Sequence, residues 1–296
     1  MSSQNKIGII QGRLSPPLNG KIQSFPINVW EKEFPIANEC GFDGIELVID
    51  SDNWIENPLY TQEGTDKILQ ISEKTGLEIF SVDPLYLTER GLMSNDPIIC
   101  SERLEFMKNI IPNCYQLGMK YIIMPIIINP DLGVTEKLKS KTNMIYLKEF
   151  LKHCLDITIK YDVGLALETA LNGEEILELI DELDSTSIYV CYDTGNSSYF
   201  GHNIESDLNL LSDLLVEVHI KDHSATDENG HQINYYNSVE LGTGDVDFNL
   251  VFNTLSKINF SGNYILQMAR GEDHIGVAKS SLNFVKTFQK NISLIN

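Results

Sequence analysis

Positive charge is scarce in this sequence. Lys and Arg together number 22 against 42 Asp and Glu, a formal net charge of −20. Lys and Arg gather into no run or stripe. A nucleic-acid surface needs a basic patch to meet phosphates, so no nucleic acid is expected as a partner. Cysteine is sparse: Cys40, Cys100, Cys114, Cys154 and Cys191 are scattered, odd in number and free of any C-x-x-C. That argues against a zinc-thiolate framework or disulfides and for buried thiols in a reducing compartment. Long hydrophobic runs are missing as well. The longest, Y-I-I-M-P-I-I-I at 121–128, is far shorter than the ~20 residues that cross a bilayer, and the N-terminus carries no signal-peptide core. A cytoplasmic protein with no membrane partner is expected.

No low-complexity linker interrupts the chain, and no G-x-G-x-x-G follows the first apolar run, which weighs against a doubly wound dinucleotide fold. What the chain does have is a rhythm. Strand-like runs at 6–13, 44–50, 78–83, 121–127, 164–169, 188–194, 215–222 and 264–270 alternate with amphipathic segments such as 101–117 and 143–160. Eight strand–helix units in 296 residues, 42% of them hydrophobic, predict an α/β fold of the (β/α)8 barrel type, one domain over residues 1–296.

Alternation along each run assigns its faces. Ile45, Leu47 and Ile49 oppose Gly44, Glu46 and Val48. Phe80 and Val82 oppose Ile79, Ser81 and Asp83. Leu165 and Leu167 oppose Ala166 and Glu168, and Val190 and Tyr192 oppose Cys191 and Asp193. Val216, Val218 and Ile220 oppose Leu215, Glu217, His219 and Lys221, and Leu266 and Met268 oppose Ile265 and Gln267. The large apolar faces suit packing under outer helices. The opposite faces carry a polar group near each strand's C-terminal end, where barrel enzymes place their chemistry.

Six runs thus aim Glu46, Asp83, Glu168, Asp193, His219 and Gln267 at one mouth. Two carboxylates, an imidazole and an amide from the last four form an oxygen-rich set with one nitrogen. It suits Mn²⁺, Mg²⁺ or Co²⁺; Zn²⁺ fits less well without thiolates. Glu217, two residues deeper than His219, needs a partner if it is buried.

The motifs L-A-L-E-T around Glu168, C-Y-D-T-G-N around Asp193, V-H-I-K-D around His219 and L-G-T-G-D-V-D-F at 241–248, in that order and spacing, resemble the sugar phosphate isomerase/epimerase family of xylose isomerase-like TIM barrels. That family includes D-tagatose 3-epimerase and L-ribulose-5-phosphate 3-epimerase relatives. The opening Q-G-R-L-S-P-P and the close L-Q-M-A-R resemble one branch of it. The resemblance implies a metal-dependent isomerase or epimerase of a small sugar or sugar phosphate, moving a proton beside a carbonyl through a metal-stabilised enediolate. It implies that Glu168, Asp193, His219 and the residue at position 267 hold the metal, with Glu168 as a proton carrier.

The chain departs from the family at that fourth ligand, which is Gln267 rather than Glu, and it has Asn196 where some epimerases carry His. An amide has no proton to exchange, so it is no general base. Glu46, Asp83 and His223 are then candidates for the second proton carrier, left unranked. Arg13, Lys221 and Arg270, at strand ends, are expected beside Glu46, Asp83 and Asp222 as substrate contacts, the cations in case the sugar is phosphorylated. Arg270 reaches the mouth only if its strand has already ended. The polar stretch 223–244 reads as a lid or binding loop. Two other readings stand beside the enzyme: a sugar-binding barrel that has lost its chemistry, marked by Gln267, and an endonuclease IV-like repair enzyme, disfavoured by the acidity and the scarcity of His. Self-association is left open.

Overall fold

Eight short apolar runs with helical segments between them can bury both faces under helices on both sides of an open sheet or by closing into a ring, and here they close into a ring. The computed structural model describes residues 5–52, 54–127, 140–227, 229–233 and 236–295. Its strands are β1 (Ile7–Ile10), β2 (Gly44–Val48), β3 (Glu78–Asp83), β4 (Tyr121–Ile126), β5 (Gly164–Thr169), β6 (Ile188–Asp193) and β7 (Leu215–Ile220). A short antiparallel pair, β8 (Asp222–His223) with β9 (Ser238–Val239), precedes β10 (Asn263–Leu266). All ladders of the main sheet are parallel, in the order β3-β2-β1-β10-β7-β6-β5-β4. β3 and β4 pack side by side where the ring meets, with no ladder between them among the described residues. Pro125 on β4 lacks an N–H and is tolerated at such an edge. This is the expected (β/α)8 barrel.

Helices begin where capping chemistry permits. Asp96 accepts the N–H groups of Ile98 and Ile99 at 2.8 and 3.3 Å, with Pro97 in the first turn, so the Ser, Asp and Pro of S-N-D-P act as helix-start signals and the helix Pro97–Gln116 begins ahead of the amphipathic run from 101. Among the described residues no helix is long and apolar enough to cross a membrane. The five cysteines are free, and Cys114, Cys154 and Cys191 are buried.

The outer core lies between strands and helices, and the outward residues of β2, β5, β6 and β10 belong to it as alternation predicts. Two strands depart from strict alternation. Ile45 pairs with Ile79 but Glu46 pairs with Ser81, so Phe80 is an extra residue of β3. Val190 pairs with Leu215 but Cys191 pairs with Glu217, so Val216 is an extra residue of β7. Each is a bulge, and each reverses the assignment of its neighbours. Phe80 turns inward onto Ile10, Val48 and Ile265, while Ile79 joins the outer core. Val216 packs against the inner group Tyr121, Ile123, Ala166 and Cys191, while Leu215 faces out.

The inward Phe80 explains two glycines. A Cβ at Gly44 would lie 2.5 Å from the Phe80 ring, and one at Gly8 would lie 2.8 Å from it. Tyr189 fills the same role beside Gly164, where a Cβ would meet its ring at 2.3 Å. Rings from β3 and β6 thus fill the floor of the barrel, and the glycines make room for them. Gly44→Ala should lower stability by ~1–3 kcal/mol through overpacking, and Phe80→Leu in that background should recover part of the loss. Urea denaturation of the two variants and the double variant checks this; a purely additive double variant would show that the two positions do not share space.

Candidate metal and sugar site

β5, β6 and β7 end side by side at the mouth and deliver Glu168, Asp193 and His219. Their ligand atoms all lie within 4.8 Å of one another. Asp193 is also the N-cap of the helix Thr194–Tyr199. Its Oδ1 accepts the Asn196 N–H at 2.8 Å, which fixes the carboxylate and leaves Oδ2 free of hydrogen bonds. Lys221 Nζ stands 3.5 Å from that Oδ2, 3.4 Å from Asn196 Oδ1 and 4.7 Å above the Tyr236 ring. Asn196 Nδ2 donates to Glu168 Oε1 at 3.3 Å.

His219 is wholly buried and has two different sides. Its Nε2 lies 3.2 and 3.3 Å from the oxygens of Glu46 and 3.5 Å from Glu217 Oε1. Its Nδ1 has no hydrogen-bond partner and stands 3.7 Å from Glu168 Oε1. Carboxylates behind the ring leave Nδ1 as the atom turned to the mouth, the arrangement in which an imidazole serves as an oriented ligand. Gln267 follows β10 directly. Its backbone N–H donates to Ile220 O at 3.1 Å, while its side-chain Oε1 is buried without a partner.

Buried polar atoms without partners are costly. Asp193 Oδ2, His219 Nδ1 and Gln267 Oε1 lack hydrogen-bond partners among the described residues and meet at one place beside Glu168, with Lys221 as an ion-pair partner 3.5 Å from Asp193 Oδ2. With two carboxylates, one imidazole and one amide oxygen, this donor set fits a hard or borderline divalent ion. A deeper trio, Cys191, Glu217 and His219, is also mutually close. Without an ion, burial drives the Cys191 thiol well above its ordinary pKa.

A cavity of about 660 Å³ opens above these residues. Arg13, Lys21, Gln23, Asp83, Glu168, Asn196, Lys221, Tyr236 and Gln267 are among its lining. Asp83, from the end of β3, is 1% exposed and neither of its oxygens has a hydrogen-bond partner. Burial, then Glu168 and Glu46, raise its carboxyl well above the usual carboxylate range. Burial also opposes ionisation of Glu168, but His219 and Lys221 outweigh it and hold that carboxyl below its ordinary value. Two acids on one cavity are thereby pushed in opposite directions.

Three expected substrate contacts lie elsewhere. Asp222 is fully buried beneath the loop after β8. It accepts the backbone N–H groups of His223, Gly242 and Gly244 at 2.9 Å and of Val246 at 3.2 Å. Its charge is spent on that loop, and a Cβ at Gly244 would lie 2.4 Å from its Oδ1, which accounts for the L-G-T-G spacing. Arg270 donates to Ile22 O and Ser15 O at 2.8 Å each, staying with the β1 loop and off the cavity lining. Glu46 is below the lining, bonded to Ser81 at 2.7 Å and facing His219. Arg13 does line the cavity, held by its bonds to Met268 O and Ile22 O.

Gln23 and Tyr236 went unrecognised in the sequence, though the stretch 223–244 that carries Tyr236 was expected to bind. That stretch forms the β8–β9 pair with a bridge from Thr226 to Gln232, its residues 228, 234 and 235 lying outside the described set. Gln23, whose amide atoms are buried without partners, sits in a loop with no motif of its own.

Glu217 has the partners its burial requires: with the Ser81 proton given to Glu46, the Glu217 carboxyl donates to Ser81 Oγ at 2.9 Å, and Tyr121 OH lies 3.4 Å away. Burial and then Glu46 push its carboxyl up to about 8. An unfolded chain releases that proton near the ordinary ~4.3, so the folded state holds the extra proton between these values, and stability falls as pH rises across that window. Glu217→Gln has no such proton. The melting temperature of the variant minus that of the wild type should therefore climb from about pH 5 to about pH 8, and a flat difference would refute the assignment.

Three comparisons place this geometry. L-ribulose-5-phosphate 3-epimerase UlaE of Salmonella heidelberg is 23% identical over 245 residues, 81% of this chain and 82% of that protein. The D-allulose 3-epimerase of Methylomonas sp. superposes with a TM-score of 0.72 at 18% identity, covering 96% of this chain and 98% of that one. A xylose isomerase-like TIM barrel protein of Mycobacterium smegmatis, solved in complex with magnesium, superposes at 0.69 and 16% identity, with 98% of each chain covered. Residues 34–288 match the family model described as a xylose isomerase-like TIM barrel. The chain belongs to the xylose isomerase-like TIM barrel family.

Proposed function

We propose that this protein is a metal-dependent isomerase or epimerase acting on a small sugar or sugar phosphate. The observation that carries the reading is the convergence of Glu168, Asp193 and His219 within 4.8 Å, with Asp193 Oδ2 and His219 Nδ1 free of hydrogen bonds among the described residues, under a cavity large enough for a sugar. The epimerases among its relatives and structural neighbours support it. Glu168, Asp193, His219 and Gln267 would hold a divalent ion, with Mn²⁺, Mg²⁺ or Co²⁺ favoured. When bound, such an ion supplies a Lewis acid that polarises a substrate carbonyl.

The chain's own residues do the rest. Glu168, kept ionised, takes the proton from the carbon beside the carbonyl. Asn196 steadies that carboxylate at 3.3 Å, and Asp193 is locked by its helix cap. Arg13, Gln23 and Tyr236 offer polar groups to hydroxyls or to a phosphate.

The test uses Mn²⁺ titration together with deuterium wash-in from D₂O, with D-allulose, L-ribulose and L-ribulose 5-phosphate as probes. The wild type should bind Mn²⁺ and exchange the proton beside the carbonyl of at least one ketose, and His219→Ala should lose both. Mn²⁺ uptake without exchange on any probe would favour the sugar-binding reading, and failure of both would reject the site.

Gln267→Glu separates the fourth ligand from its neighbours. Two carboxylates balance a divalent ion, and a third adds attraction, so Mn²⁺ should bind tighter by on the order of 10-fold or more. Unchanged affinity in the same titration would place Gln267 away from the metal.

A further inference from the structure

We propose that Asp83 is the second proton carrier of the site, paired with Glu168 across one substrate; this rests on the epimerase reading above. Inverting a carbon requires a proton taken from one face and another returned to the opposite face. Glu168 supplies one carrier. Gln267, on the strand where a second carboxylate would complete the pair, has no proton to give.

The structure separates the remaining candidates by what already occupies them. Glu46 accepts from Ser81 at 2.7 Å, faces His219 Nε2 at 3.2 Å, and does not line the cavity. His223 bonds Ser198 Oγ at 3.2 Å and packs against the rings of Tyr199 and Tyr236, also off the lining. Lys221 reaches the cavity, but its ammonium is tied to Asp193 and Asn196. The Tyr236 hydroxyl lines it too, and burial pushes that phenol far above its ordinary pKa. Asp83 is the one carboxyl of these that stands on the wall carrying Glu168 and has two oxygens with no hydrogen-bond partner among the described residues; the Tyr236 hydroxyl is unpartnered there too, but its burial holds it as a phenol. A buried carboxyl left so is costly to the fold, and a ligand that uses both oxygens accounts for it. The bulge at Phe80 keeps Ser81 and Asp83 on the inward side of β3.

The step balances. The Glu168 carboxylate removes the proton beside the carbonyl. The C–H electron pair forms the carbon–carbon double bond, and the carbonyl π pair moves onto oxygen. The protonated Asp83 carboxyl then delivers its proton to the other face of the same carbon as the carbonyl re-forms. Glu168 ends protonated and Asp83 ionised. Exchange with solvent, or turnover in the reverse direction, restores the starting state.

Asp83→Asn, in the full chain loaded with Mn²⁺, tests this on the ketose that the wild type exchanges fastest and on its C3 epimer, in D₂O. From the epimer whose proton faces Glu168, deuterium should still wash in at a rate within about 10-fold of wild type, while conversion falls by about 100-fold or more. From the other epimer, wash-in and conversion should both fail. Mn²⁺ affinity should hold within about threefold. Conversion within threefold of wild type would overturn the proposal. So would equal loss of wash-in and conversion from both epimers, which marks a packing or binding role, or a tenfold loss of Mn²⁺ affinity, which marks a ligand. If the wild type exchanges no ketose, the epimerase reading falls and takes this proposal with it. Asp83→Ser, compared by melting temperature, serves if the Asn variant does not fold.

Discussion

Five carboxylates, those of Glu46, Asp83, Glu168, Asp193 and Glu217, share one barrel lumen, each no more than 4% exposed. Like charges at that density cannot all ionise in a medium that screens them poorly. The site is organised around this constraint. Glu217 and Asp83 keep protons, Glu168 is held ionised by His219 and Lys221, and Asp193 is shared between a helix cap and the Lys221 ammonium. Gln267 then has a plain electrostatic logic. A sixth carboxylate would add charge to a lumen already crowded with acids, whereas an amide places an oxygen there at no cost in charge.

The barrel was legible in the sequence because its period was. Parallel strands buried on both faces must be short apolar runs, and the amphipathic segments between them supply the outer layer. Inward residues on β2, β5, β6 and β10 followed from alternation alone. Phe80 and Val216 did not, since a bulge inserts one residue without changing composition, and F-S-V-D reads equally well with Phe80 out or in. The compensating sign was present elsewhere: Gly8, Gly44 and Gly164 leave room on strands that otherwise favour branched side chains.

Asp83, Glu168, Asp193, His219 and Gln267 could be gathered from strand ends, because a strand end has one direction in which to point. The loop residues could not. Asp222 has the same position relative to its strand as a substrate ligand would, yet the glycines of L-G-T-G bring two backbone N–H groups to it beside those of His223 and Val246, and that satisfaction depends on a turn that local sequence does not specify. Arg270 likewise meets carbonyls of a loop some 250 positions earlier in the chain, a pairing that only the closed ring creates. Gln23 and Tyr236 reach the cavity by the same kind of long-range accident.

The aromatic floor has a consequence for traffic. Phe80 and Tyr189 fill the N-terminal end over Gly8, Gly44 and Gly164, opposite the mouth that carries the cavity. On the proposed reading, an ion held by Glu168, Asp193 and His219 would lie beneath whatever occupies the cavity, so it would have to arrive before a sugar and leave after it.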